Sequence, residues 1–230
     1  MFFNSTYLIF MVPAFLLMML AQWYVNSAYT RWSKVESRSG LTGAQVAQKL
    51  IERSGLYGIE IEAAKGRLSD HYDPRSKVLR LSQGVGNGRS VAAAAIAAHE
   101  LGHAQQDSQD YLPLRFRAAI VPMVNIGSYL GWILLMVGFF LQMTSLAWVG
   151  VFFFAGGALF AFATLPVELD ASRRARAMLT TAGIITSEEE QRGVNKVLNA
   201  AAMTYVAGLI TAVLQLLYYA SLVLGMGRRR

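Results

Sequence analysis

Four stretches of this 230-residue chain are too long and too apolar to sit in the core of a soluble domain: residues 7–25, 118–141, 146–165 and 202–224. A helix needs roughly 20 apolar residues to cross the hydrocarbon of a bilayer. A lipid-facing backbone must also satisfy its own polar groups, which selects helices for such runs. The composition agrees, with 54% hydrophobic and only 15% charged residues, against about 25% charged in a typical soluble domain. None of the four runs holds an Asp, Glu, Lys, Arg or His in its core, which argues against a transporter with an intramembrane ion path. Pro13 and Pro122 fall inside runs, as membrane helices tolerate. Gly127, Gly131, Gly156 and Gly157 are candidate points of close helix contact. The first run reads as a retained anchor rather than a cleaved signal, because no Lys or Arg precedes it and it is long for a signal core.

Charge sets an expected orientation. The net charge is +7, yet the basic residues flank apolar runs rather than forming a stripe interleaved with aromatics, so nucleic acid is not expected as a partner. Of 21 Lys and Arg, 18 lie between the first and second runs or between the third and fourth. With four crossings both segments share one side, and the positive-inside bias puts that side in the cytoplasm of a cell (inner) membrane protein. Arg228, Arg229 and Arg230 would then end outside, unless the last run is re-entrant. The chain has no cysteine, so any metal must be bound by His, Asp or Glu.

The segment between the first two runs is long enough for a small folded domain. Thr42 is a candidate N-cap, followed by a helix with Ala44, Val46, Ala47, Leu50 and Ile51 on one face and Gly55 at its end. Residues 59–62 and 78–82 alternate like strands, with a turn at Asp73-Pro74 between them. The 78–82 strand is a candidate edge for an extended peptide. Gly84, Gly86 and Gly88 read as a flexible connector, since the Lys-Ser/Thr of a phosphate loop does not follow. A second helix is expected from about Ser90 to about Gln106.

That helix carries His99-Glu100-Leu101-Gly102-His103. Histidines at i and i+4 stand one turn apart on one helix face, where both can reach one zinc ion. Glu100 can lean toward the open position of the metal and take a proton from a water there, whose pKa the metal lowers to about 7. It can later pass that proton to a leaving amine. Small residues precede the motif and allow close packing, and two of the three His in the chain are in it.

A catalytic zinc needs a third protein ligand and an open fourth position. The candidate carboxylates are Glu168 and Asp170, in Pro166-Val167-Glu168-Leu169-Asp170-Ala171-Ser172 just beyond the third run. The second and third runs go out and come back, returning the chain to the side that carries His99. The alternative is that both acids pair with Arg173, Arg174 or Arg176 along their own helix. His71 and Tyr72 are candidate donors to an oxyanion on a strand facing the cleft, or else a turn residue and a packing residue.

His99 to Gln106, Glu168 to Ser172, and Asp70-His71-Tyr72-Asp73-Pro74 resemble the YugP-type membrane neutral zinc metallopeptidases, over nearly the whole chain and including the four runs. That family is similar to the broader gluzincins, whose third ligand is a Glu on a later helix. The resemblance implies His99, His103 and Glu168 as zinc ligands and Glu100 as the base. Many gluzincins carry a supporting Asp four positions after the ligand Glu, whereas here that position is Ser172 and the Asp is at 170.

The expected protein is mainly α: a polytopic membrane protein with about four transmembrane helices and a small α+β zincin-like domain. Its parts are an N-terminal anchor (1–25), a zinc-peptidase domain (26–117), a transmembrane hairpin (118–165), a helical segment with the third ligand (166–200) and a last transmembrane helix with a basic tail (201–230). The expected activity is zinc-dependent hydrolysis of peptides or membrane proteins at the lipid bilayer. The alternative is a catalytically silent zinc-binding scaffold or adaptor. An intact Glu100 argues against it, because a structural zinc site needs no base.

Overall fold

A computed structural model describes residues 5–227. In chain order its elements are α1 (Ser5–Trp32), α2 (Gly43–Ser54), β1 (Glu60–Ala64), β2 (His71–Asp73), β3 (Val78–Ser82), α3 (Gln83–Gly86), α4 (Val91–Ser108), α5 (Leu112–Phe140), α6 (Thr144–Thr181) and α7 (Glu188–Gly227). Four of them, α1, α5, α6 and α7, are long and apolar enough to cross a membrane. The described residues divide into two compact units: 5–21, 115–166 and 204–227 in one, and 22–114 and 167–203 in the other.

Among the described residues the first unit is helical apart from the turn at 141–143. Its small core gathers around Leu135, Ala147, Val151 and Val223, while Phe15, Ile126, Phe140, Phe152 and Phe162 stay exposed, as a lipid-facing surface requires. The α5–α6 hairpin closes on glycines. A Cβ on Gly138 would lie 2.5 Å from the backbone nitrogen of Ala147, and one on Gly150 would lie 2.6 Å from that of Leu135. Gly131 is similarly crowded by Phe153 and Gly150, but Gly157 has nothing within 4 Å and Gly156 only a side chain at 3.9 Å. The close contact expected at Gly156 and Gly157 is therefore made at Gly138 and Gly150 instead. The last apolar run lies in one unbroken helix, α7, long and apolar enough to cross a membrane. The basic tail at 228–230 lies outside the described residues.

The second unit holds a three-stranded sheet and the helices packed on it. Thr42 caps α2 through a reciprocal pair of bonds with Gln45, and Gly55 ends it in the left-handed conformation at φ 66°. Ser90 caps α4 by accepting from the backbone N–H of Ala93. The strand order is β1-β3-β2, with β1 parallel and β2 antiparallel to β3. The 78–82 strand is thus central, hydrogen-bonded on both sides, and cannot serve as an edge for a peptide. Its Arg80 is neutralised from both neighbours, by Glu62 on β1 at 3.0 Å and Asp73 on β2 at 3.4 Å. The glycine connector includes the short helix α3, with Val85 fully buried. The core runs through Val46, Leu50, Leu79, Leu81, Ala94, Ala98, Leu101, Leu179 and Leu198. Small side chains on α4 are what permit this density. A Cβ on Gly102 would lie 2.5 Å from the carbonyl oxygen of Ala171, so α4 and α6 meet backbone to backbone at the His-Glu-x-x-His motif.

Candidate metal centre

That close approach assembles the site. The rings of His99 and His103 stand 4.9 Å apart on one face of α4, both half-buried. Glu168, one residue past Val167 on α6, points its Oε2 at both: 3.3 Å from His99 Nε2 and 3.4 Å from His103 Nε2. The three donors all lie within 4.8 Å of one another. These separations are long for direct hydrogen bonds. They match the edge of a tetrahedron with arms of roughly 2.0–2.1 Å, about 3.3–3.4 Å, the geometry that His and carboxylate donors adopt around zinc. Two imidazoles and one carboxylate fit a zinc ion with one position left for a small ligand.

Each His is also held through its other ring nitrogen. Ser172 Oγ is 3.3 Å from His99 Nδ1. Gln106 Oε1 is 3.1 Å from His103 Nδ1, and the Gln106 amide nitrogen donates to Val167 O at 2.8 Å and Asp170 Oδ2 at 2.9 Å. Asp170 faces away from the trio and pairs with Arg173 and Arg174. Arg174 in turn bonds Gln105 and Gln109 on α4. Two carboxylates two residues apart are about 200° apart around a helix, so one meets the histidines and the other meets the arginines. Arg176 bonds Asn195 and Asn199 instead.

Glu100 lies beside the trio. Its Oε2 accepts the backbone N–H of Tyr72 on β2 at 3.2 Å. Burial pushes its pKa above the ordinary carboxylate value, against the opposing pull of His99 and His103. Burial also disfavours the charged form of His103, but the neighbouring carboxylates of Glu168 and Glu100 outweigh that and raise its pKa. The Tyr72 hydroxyl donates to Asp107 at 3.1 Å, and burial, then Asp107, raises its pKa. The exposed His71 ring bonds the backbone carbonyl of Ser69 at 2.9 Å. The structure thus gathers His99, Glu100, His103 and Glu168, sets Asp170 behind them, and brings Tyr72 in through its main chain. Gln106 and Ser172 were not legible as partners of the histidines, although each lies on a helical face spacing, three residues after His103 and four after Glu168.

The profile of the family described as "Putative neutral zinc metallopeptidase" matches residues 7–224. The chain belongs to this family. A curated relative, "Putative membrane protease YugP" of Bacillus subtilis (strain 168), is 42% identical over 199 residues, covering 86% of this chain and 88% of the relative. No solved structure matches. Zinc is the metal of the neutral zinc metallopeptidase family, and His99, His103 and Glu168 form the cluster that could bind it.

Proposed function

We propose that this protein is a membrane-embedded zinc metallopeptidase that hydrolyses peptide bonds, with His99, His103 and Glu168 as ligands and Glu100 as general base. The observation that carries this reading is the gathering of three donors within 4.8 Å, Glu168 lying 3.3 and 3.4 Å from the two imidazoles, with an anchored carboxylate next to them. The name of the Bacillus subtilis relative supports it. When bound, zinc supplies Lewis acidity, polarising the scissile carbonyl and favouring water as a nucleophile at neutral pH. Glu100 is held at Oε2 by Tyr72 N–H, which leaves Oε1 to take a proton from the attacking water. Glu100 later passes that proton to the leaving amine. The peptide C–N bond breaks, and water's oxygen stays on the new carboxyl group.

In this reading residues 26–117 and 166–200 build the peptidase part, and the substrates are peptides or membrane proteins. This reading puts the site on the cytoplasmic side, supported by the positive-inside bias of the two basic segments, most of whose residues lie in one compact unit, 22–114 and 167–203. The test is purified protein in detergent, assayed for zinc content and for cleavage of a mixed peptide library. Glu100→Gln should retain zinc and lose about 100-fold or more of the hydrolysis, the usual share of general-base catalysis. A wild type that holds zinc yet cleaves nothing would favour a silent scaffold.

A further inference from the structure

Gln106 is 0% exposed, although it carries a polar amide and points at no solvent. Burying an amide is costly unless all its groups are paired, and here they are, in one direction only. The amide nitrogen has two partners, Val167 O and Asp170 Oδ2, and both are acceptors. The NH2 group must therefore face α6, and the amide oxygen must face His103 Nδ1. An amide oxygen only accepts, so Nδ1 carries the hydrogen, and in the neutral ring Nε2 keeps its lone pair for a metal. His99 has no such constraint, because the hydroxyl of Ser172 can donate or accept. The partners on α6 also matter: Val167 and Asp170 bracket Glu168.

We propose that Gln106 is a positioning residue for the metal centre: its one amide fixes the tautomer and ring direction of His103 while fastening the segment of α6 that presents Glu168. The inference rests on the zinc reading above and deepens it. Gln106 touches neither metal nor substrate. It acts on affinity and coordination geometry, because two of the three donors are set from a single side chain.

The experiment measures zinc affinity by chelator competition, and the absorption spectrum of the cobalt-substituted protein, for wild type and four variants. Gln106→Met keeps the volume and loses every hydrogen bond. Gln106→Glu keeps an acceptor for His103 but loses both donors and sets a carboxylate against Asp170. Each should weaken zinc binding about 10–100-fold and shift the cobalt spectrum. Asp170→Asn is made alone and combined with Gln106→Glu. The combination restores the bond between positions 106 and 170 with its direction reversed while the bond to Val167 O stays lost, and should recover part of the affinity that Gln106→Glu loses. A purely packing role would lower the melting temperature of the metal-free protein and leave affinity and cobalt spectrum unchanged, which would overturn the proposal. If Gln106→Met does not fold, absence of recovery in the double variant overturns it just as well. A wild type that takes up no zinc would instead defeat the zinc reading itself, and this inference with it.

Discussion

Gly102 and Ala171 meet so closely that a Cβ on Gly102 would fall 2.5 Å from the Ala171 carbonyl oxygen and 3.0 Å from its Cα. The contact lies within the metal motif on one helix and between Glu168 and Ser172 on the other. It sets how near the two ligand-bearing helices come. In an exposed helix interior, Gly→Ala stabilises by about 1 kcal/mol. At position 102 the sign should reverse, because the obstacle is backbone and cannot rotate away. Gly102→Ala should destabilise the protein by about 1–3 kcal/mol and weaken zinc binding, as Glu168 is pushed from the imidazoles. A variant with a higher melting temperature and normal zinc affinity would show that the approach is not limiting.

Glu168 and Asp170 should separate cleanly in zinc titrations. Glu168→Ala removes a donor that reaches both histidines, so zinc occupancy should collapse at low free metal. Asp170→Ala removes a group that touches Gln106 and two arginines, so the site should still fill at higher zinc, with affinity lowered about 10–100-fold. An empty site in Asp170→Ala and full binding in Glu168→Ala would reverse the assignment.

Tyr72 should make stability depend on alkaline pH. Burial first, and then Asp107, holds its phenol above the ordinary value of about 10. A raised folded-state pKa means that the stabilisation is complete below the unfolded value and is lost as pH rises toward the folded one. Wild type should therefore lose stability above about pH 10 more steeply than Tyr72→Phe. Denaturant midpoints of the two proteins, compared at neutral and alkaline pH, provide the measurement. Parallel curves would mean that the phenol titrates normally.

Orientation can be tested without background, since the chain has no cysteine. Tyr57 and Glu189 are both exposed and lie in the two basic segments of one unit. Single cysteines at these positions should resist a membrane-impermeant thiol reagent in intact cells and react after lysis. Labelling of both in intact cells would invert the topology.

What was legible in the sequence is what depends on local pattern. Long apolar runs announce α1, α5, α6 and α7, the Thr42 and Gly55 signals bound α2, and the i, i+4 spacing puts His99 and His103 on one face. What escaped depends on neighbours far along the chain. The 78–82 strand reads as a candidate edge, yet it sits in the middle, where Glu62 and Asp73 from the flanking strands neutralise its Arg80. The roles of Gly138 and Gly150 rest on which residues oppose them, and neither is marked by a repeat. Gln106 looks like any polar residue at a helix end until α6 supplies its two acceptors.

The distance between the donors along the chain gives the site a timetable. His99 and Glu168 are 69 residues apart, and the whole of α5 and much of α6 are made between them. At ribosomal rates of about 5–20 residues per second, the third donor emerges several seconds after the histidines. Through that interval a nascent chain displays His99, Glu100 and His103 with no partner to complete them, and a chain cut short before Pro166 never acquires one. Assembly of the three-donor cluster is thereby tied to synthesis of the α5–α6 hairpin, so that an unfinished copy cannot complete it.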